Sequence, residues 1–181
     1  MRTQAQRGAT LVEVLVTIII ISFGLLGMAG LQVRLQVSEM ESYQRSQALI
    51  LLNDMAHRIA ANRNNAASYV TGSALGSGMT CPTDTTTIVN RDKKEWCDAL
   101  QGAAETSGTT KLGAMIGGRG CVEAVGSDYM VTVAWQGLTP ISAPPASVTC
   151  GANAYNTSGT PCVNDLCRRA VTTIVRVASL V

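Results

Sequence analysis

The sequence predicts an α+β fold: one long N-terminal helix packed on a small antiparallel sheet, with disulfide-stapled loops. Three observations support this prediction. An apolar segment near the N-terminus runs without a break into an amphipathic one, strand-like segments fill the second half, and six cysteines all follow the apolar segment.

The composition indicates a membrane segment joined to a small domain. Hydrophobic residues make up 46% of the 181 residues and charged residues only 14%, and much of the apolar excess lies near the N-terminus. Aromatic residues make up only 4%. A small core must therefore rest on aliphatic side chains, which favours additional covalent stabilisation.

The predicted helix begins as a membrane-spanning segment. Residues 9–31 contain a single charge, Glu13, and a helix over this range is about 34 Å long, enough to cross a bilayer. Arg2 and Arg7 precede it and should remain on the cytoplasmic side. Residues 32–62 contain no glycine or proline, and their apolar residues recur near helical spacing. They are therefore predicted to continue the helix as an amphipathic half.

Glu13 is the unusual residue of this helix. A carboxylate within the hydrocarbon costs about 2.5–3.5 kcal/mol on insertion scales, so it predicts a functional role and a charged partner. Small residues near Met28–Gly30 also resemble the end of a secretory signal peptide, and a plain membrane anchor is another alternative. Neither alternative explains Glu13.

The six cysteines predict disulfides in an oxidising compartment. Their spacing lacks the close pairs that bind zinc, so no metal site is expected. Fifteen pairings are possible, and the sequential one is preferred: Cys81–Cys97, Cys121–Cys150 and Cys162–Cys167.

The rest of the chain predicts a globular head over residues 63–181. A short helical pattern lies within Asp92–Glu105, and Trp96 and Trp135 are predicted to be in the core. Loops are predicted over residues 62–78 and 137–165, and His57 should face solvent. Three strands are predicted: Gly120–Val125, Tyr129–Gln136 and Arg169–Ala178.

No pattern in the sequence indicates an enzyme. There is no nucleophile motif and no catalytic carboxylate pair, and the glycine-rich run Met115–Gly120 lacks the ending of a phosphate loop. No catalytic residue, cofactor or metal is therefore predicted. Removing residues 1–8 leaves 12 of the 14 basic residues against 12 acidic ones, so no nucleic-acid partner is expected.

Several motifs resemble a known family. The run from Gly8 to Leu15, GATLVEVL, resembles the prepilin cleavage and methylation motif, with glycine before the cut and glutamate fifth after it. The run Ile21–Gln32 resembles, more narrowly, the PilV group of type IV pilus minor pilins. Three later runs support the narrower resemblance: Gly118–Cys121, Val131–Leu138 and Arg168–Val171.

This resemblance implies a pilin-like fold and a processing route. A prepilin peptidase would cut between Gly8 and Ala9 and methylate Ala9, and Glu13 would compensate the positive N-terminus of a neighbouring subunit. The chain would then divide into a leader (1–8), a transmembrane or pilus-core half of the helix (9–31), an amphipathic half (32–62) and a periplasmic head (63–181). Ala9 departs from the family, which usually has a bulkier residue there.

The function implied is that of a minor pilin in the priming or tip complex of a type IV pilus, and hence a role in twitching motility or adhesion. Its partners would be the prepilin peptidase, other minor and major pilins and a tip adhesin. The chain would lie in the inner membrane before assembly and in the pilus afterwards. A type II secretion pseudopilin is the main alternative, and a DNA-uptake receptor is disfavoured by the neutral mature chain.

Overall fold

The computed structural model describes residues 10–103, 106–107, 110–111 and 115–177. Two α-helices, one 3-10 helix and six strands follow one another within these residues. In chain order they are α1 (Leu11–Ala61), the 3-10 helix (Arg63–Tyr69), β1 (Leu75–Gly76), α2 (Ile88–Leu100), β2 (Thr106–Ser107), β3 (Thr110–Lys111), β4 (Arg119–Val125), β5 (Asp128–Gln136) and β6 (Arg168–Val175).

The chain forms two compact units, one ending at Met40 and the other beginning at Glu41. In the N-terminal unit, every described residue from Leu11 to Met40 is helical. Apart from the half-buried Val37, its large apolar side chains are at least 46% exposed, because the unit contains no second element to cover them.

The C-terminal unit includes the last part of α1, and one face of that part is buried. Gln44, Ala48, Leu52, Met55 and Ile59 form this face, at the three- and four-residue spacing of one helix side. Leu49, which follows Ala48, lies outside this face and is 40% exposed. The exposed position of His57 is as predicted.

The main sheet is antiparallel, with strand order β1-β4-β5-β6, and β2 pairs with β3 separately. Val131, Val133 and Trp135 alternate along β5, so they share one face of the sheet, and all three belong to the same core cluster as the buried face of α1. Trp96 of α2 joins this core and donates its indole N–H to the Leu51 carbonyl at 2.9 Å. The prediction that both tryptophans are in the core is confirmed.

The three predicted strands are present, each within a few residues of its expected bounds. Helix α2 begins at Ile88, before the predicted start near Asp92. The reason is that Thr87 caps it, with its hydroxyl accepting the Asn90 N–H at 3.1 Å. Strand β1 lies inside the predicted loop 62–78, since its two residues are too few to form a recognisable pattern. The predicted end of the last strand, Ala178, lies outside the described residues.

Three disulfides join the cysteines in the sequential order: Cys81–Cys97, Cys121–Cys150 and Cys162–Cys167. The second disulfide fastens the long connection between β5 and β6 to strand β4. Arg168 fastens the same connection from β6, donating to the carbonyls of Val148 and Cys150 at 2.7 and 3.1 Å. Arg168 is buried and has a carboxylate partner, Asp165, at 3.1 Å.

Candidate functional site

The start of α1 contains the predicted assembly residues. The Thr10 hydroxyl accepts the Glu13 backbone N–H at 3.3 Å, which satisfies one free donor of the first helical turn. Thr10 and Glu13 form the Thr-x-x-Glu pattern of a capping box. This pattern is visible in the sequence and could have predicted the start of α1. Gly8 and Ala9 lie outside the described residues, so cleavage and methylation there remain predictions.

Glu13 itself occupies the first turn of α1, where the helix dipole favours a negative charge. Its side chain is exposed, and no ion-pair partner is found for it among the described residues. Capping alone would not require glutamate inside an apolar segment, because glutamine can fill the same place in a capping box. The charge of Glu13 therefore still calls for a partner.

The helix surface after Glu13 is apolar and uncovered. An 18-residue window has a mean hydropathy of 2.5 with 0% of it buried, so by length and composition this helix could cross a membrane. The hydroxyls of Thr17 and Ser22 donate to the Val14 and Ile18 carbonyls at 2.8 and 2.7 Å. These bonds leave few polar groups facing outward, as an apolar environment requires.

Three glycines interrupt this apolar surface at positions 24, 27 and 30. A Cβ atom added at any of them would meet no described atom within 4 Å. Packing within the N-terminal unit therefore does not require glycine. Each glycine nevertheless lowers the stability of the helix by about 1 kcal/mol relative to alanine. Close packing with another helix and easier local melting both remain explanations.

Comparison with known proteins bears on this same segment. Residues 3–29 match the family described as the prokaryotic N-terminal methylation motif. This match supports a type IV pilin-like or pseudopilin-like protein. It implies that the pilin-like protein is processed by a prepilin peptidase and assembles with other pilins. No match was found among curated proteins or solved structures.

In the C-terminal unit, α1 is fastened by two polar side chains. A Glu41 carboxylate oxygen accepts the Leu138 N–H at 2.7 Å and lies 3.5 Å from the Arg169 guanidinium. The Gln44 carbonyl oxygen accepts the Ile116 N–H at 3.1 Å. Sequence reasoning missed both residues, because polar residues on an amphipathic helix normally indicate its solvent face.

A second polar cluster joins α1 to α2. The Arg58 guanidinium contacts Asp54, Asp92 and Glu95 at 3.0, 2.8 and 2.7 Å. Partial burial alone would lower the pKa of Arg58, but these hydrogen bonds outweigh it and raise that pKa. The Tyr69 hydroxyl donates to Asp92, and burial together with this bond raises the pKa of Tyr69 to about 12. The cluster stabilises the contact between the two helices.

The described residues contain no group of three or more His, Cys, Asp or Glu that could hold a metal ion. The glycine-rich run also shows no phosphate-binding geometry. Gly117 adopts a φ of 63° in a turn, and the chain then enters β4 at Arg119 without opening a helix.

Proposed function

We propose that this pilin-like chain is a minor pilin that primes or caps a type IV pilus. The match to the N-terminal methylation motif over residues 3–29 carries the proposal. The uncovered apolar surface of α1 supports it, because that surface needs a bilayer or other helices around it. The PilV-like runs described above favour a minor pilin over a major one.

Processing would occur between Gly8 and Ala9, with methylation of the new amine on Ala9. The Thr10 cap supports this placement, because α1 begins at Leu11, directly after the expected N-terminus. The new ammonium group would then lie at the helix start. Glu13 of an adjacent subunit could neutralise it, so that two charges costly in an apolar filament core offset each other.

The part of the chain after the apolar segment would be periplasmic before assembly and exposed on the pilus afterwards. Three disulfides support this location, because such bonds persist in oxidising compartments. There it would contact other minor pilins or a tip adhesin, and so contribute to twitching motility or adhesion.

The first test is the intact mass and N-terminal sequence of the protein from membranes and from sheared surface filaments. We expect a chain beginning at Ala9 in both fractions. Recovery of an uncut chain, or of one cut near residues 29–31, would refute the processing step. Absence of the chain from filaments of a piliated strain would refute incorporation.

Glu13→Gln tests the charge pairing separately from processing. Glutamine keeps the size and the capping geometry but removes the charge, so cleavage should persist while recovery in filaments falls at least tenfold. Glu39→Gln, at an exposed position of the same helix, is the matched control and should assemble normally. Equal recovery of both variants would contradict the pairing.

A type II secretion pseudopilin is the second candidate, since the same N-terminal match supports it equally. Deletion of the gene separates the two candidates. Lost piliation and twitching with normal exoprotein secretion would favour the minor pilin, and the opposite pattern would favour the pseudopilin.

A further inference from the structure

A groove of about 340 Å³ lies on the face of the sheet where the Cys121–Cys150 disulfide forms part of the lining. Its walls are the segment 71–74, which leads into β1, and residues 149–152 and 154 of the long β5–β6 connection. Arg119, Cys121 and Glu123 of β4 line the groove between these walls, and their even spacing puts all three on one face of the strand.

Arg119 brings an unpaired positive charge to the groove. Its guanidinium lies 5.1 Å from the centre of the Tyr155 ring, interacts with the Tyr155 hydroxyl and makes a long hydrogen bond, 3.4 Å, to the Gly117 carbonyl. No carboxylate pairs with it in the described part of the chain. By contrast, Arg168 and Arg169 of β6 each have a carboxylate partner.

Glu123 brings a partly satisfied negative charge to the same groove. One of its carboxylate oxygens accepts the Thr149 hydroxyl at 2.6 Å, and the other, Oε2, has no hydrogen-bond partner among the described residues. Because Oε2 is buried, a basic group in the groove would approach the first oxygen, Oε1, which lies at an exposed hydrogen bond. Rotation of the Thr149 hydroxyl would release the first oxygen.

Arg119 and Glu123 are too far apart to neutralise each other. Four residues along a strand correspond to about 13 Å between their Cα atoms, and no ion pair joins them. The groove thus presents opposite charges at two ends of a channel. An extended polypeptide with a basic and an acidic side chain four residues apart has the same spacing.

The groove wall can also bind a peptide backbone. The Thr71 N–H donates to the Val122 carbonyl, and Leu75 lies opposite Gly120 in the β1–β4 ladder. Between them, the N–H groups of Gly72, Ser73 and Ala74 have no hydrogen-bond partner within the described chain. Gly72 and Ser73 are exposed. Free backbone groups beside side-chain contacts are the elements of extended-peptide recognition.

We propose that this groove binds an extended segment of a partner polypeptide, through Arg119 to an acidic side chain and Glu123 to a basic one. The site is separate from the start of α1. A peptide test does not depend on filament assembly, so its failure would leave the proposed minor-pilin function untouched.

The probes are two fluorescein-labelled, N-acetylated peptide amides, KSVSD and DSVSK, with neutral QSVSN as the control. Fluorescence polarisation is measured with the full-length protein in detergent. We expect one of the two charged orders to bind at least tenfold more tightly than the neutral peptide, with affinity falling as salt is raised from 50 to 500 mM. Binding of all three peptides with equal affinity, or of none, would overturn the proposal.

Variants assign the binding to the groove. Arg119→Gln and Glu123→Gln should each weaken binding of the preferred peptide about tenfold, whereas Arg91→Gln and Asp128→Asn, at charges outside the groove lining, should not. The double variant Arg119→Glu/Glu123→Arg should prefer the reversed peptide order. Unchanged binding in the single variants, or an unchanged order preference in the folded double variant, would refute the site.

Discussion

At the residue scale, Gly120 shows how a side chain can be excluded by packing. It lies in β4, and an added Cβ would collide with the Trp96 ring and approach Leu100 Cδ1 to 2.7 Å. The ring cannot move aside easily, because Trp96 is fully buried and its N–H is held by the Leu51 carbonyl. The glycine therefore allows α2 to pack closely on the sheet.

Gly120→Ala should lower the free energy of unfolding by about 1–3 kcal/mol, the usual cost of overpacking a core. The measurement is urea unfolding followed by tryptophan fluorescence. Gly72→Ala is the matched control, because a Cβ there meets nothing within 4 Å, and its effect should stay within about 0.5 kcal/mol. Equal effects of the two substitutions would contradict this account of Gly120.

Tyr69 makes a residue-scale prediction about pH. Its pKa in the folded protein is raised to about 12 by burial and by its hydrogen bond to Asp92, from an ordinary value of 10.0. Because the folded state holds the proton more tightly, this stabilisation is fully present below pH 10 and is lost between pH 10 and about 12. The unfolding midpoint should fall in that window.

The measurement is thermal unfolding at pH values from 8 to 12 for Tyr69→Phe and the parent. The variant should be less stable at pH 8, because it loses the hydrogen bonds to Asp92 and Asn62, but its further loss above pH 10 should be smaller. Tyr43→Phe, at an exposed tyrosine, serves as the control. A Tyr69→Phe profile parallel to that of the parent would contradict the assignment.

At the element scale, the disulfides differ in the length of chain that they close. Cys121 and Cys150 are separated by 29 residues, whereas Cys162 and Cys167 are separated by 5. In the chain-entropy model these loops correspond to about 3.6 and about 2 kcal/mol of stabilisation. The longer disulfide also joins two elements, β4 and the β5–β6 connection.

Replacing both Cys121 and Cys150 by alanine should therefore destabilise the protein by about 1.5 kcal/mol more than replacing Cys162 and Cys167. The two double variants have the same change in composition, so each serves as the control for the other. Chemical unfolding under non-reducing conditions measures the difference. A larger loss in the Cys162/Cys167 variant would show that local geometry, and not loop length, dominates.

The elements also show what the sequence could predict. Strand β5 was predictable because its residues alternate, and β6 because it is rich in valine, threonine and isoleucine. Strand β1 was not, because it consists of two residues and pairs with β4 through long-range contacts. The same limit applies to Glu41 and Gln44, whose partners lie 97 and 72 residues away in the chain. Glu13, by contrast, was visible as the single charge of an apolar segment.

The groove on the sheet lies beyond sequence prediction for a related reason. Arg119 and Glu123 are an ordinary pair of charges on a strand, and nothing local shows that they remain unpaired. Only the fold places residues 149–152 and 154 opposite the segment 71–74 and creates a channel between them. The start of α1 needed no such information, since its signals all lie within residues 8–15.

At the scale of the whole molecule, the boundary at Met40 separates a unit that needs an apolar environment from one that has its own core. The core cluster of the C-terminal unit begins at Ala48 and includes no residue before it. Glu41 and Gln44, which fasten α1 to the connections beside β4 and β5, also follow the boundary. Every disulfide lies after it as well.

A fragment of residues 41–181 should therefore be soluble, contain three disulfides and unfold cooperatively, as judged by circular dichroism and hydrogen exchange. A fragment of residues 63–181 should not fold. It lacks Leu52, Met55 and Ile59, whose burial is worth about 5–9 kcal/mol together, a large part of the 5–15 kcal/mol typical of whole domains. Residues 32–181 are the control and should match the 41–181 fragment in stability, because the added Val33 and Leu35 are exposed and the half-buried Val37 does not belong to the core. A folded 63–181 fragment would mean that the sheet and disulfides suffice, and that α1 contributes attachment without contributing stability.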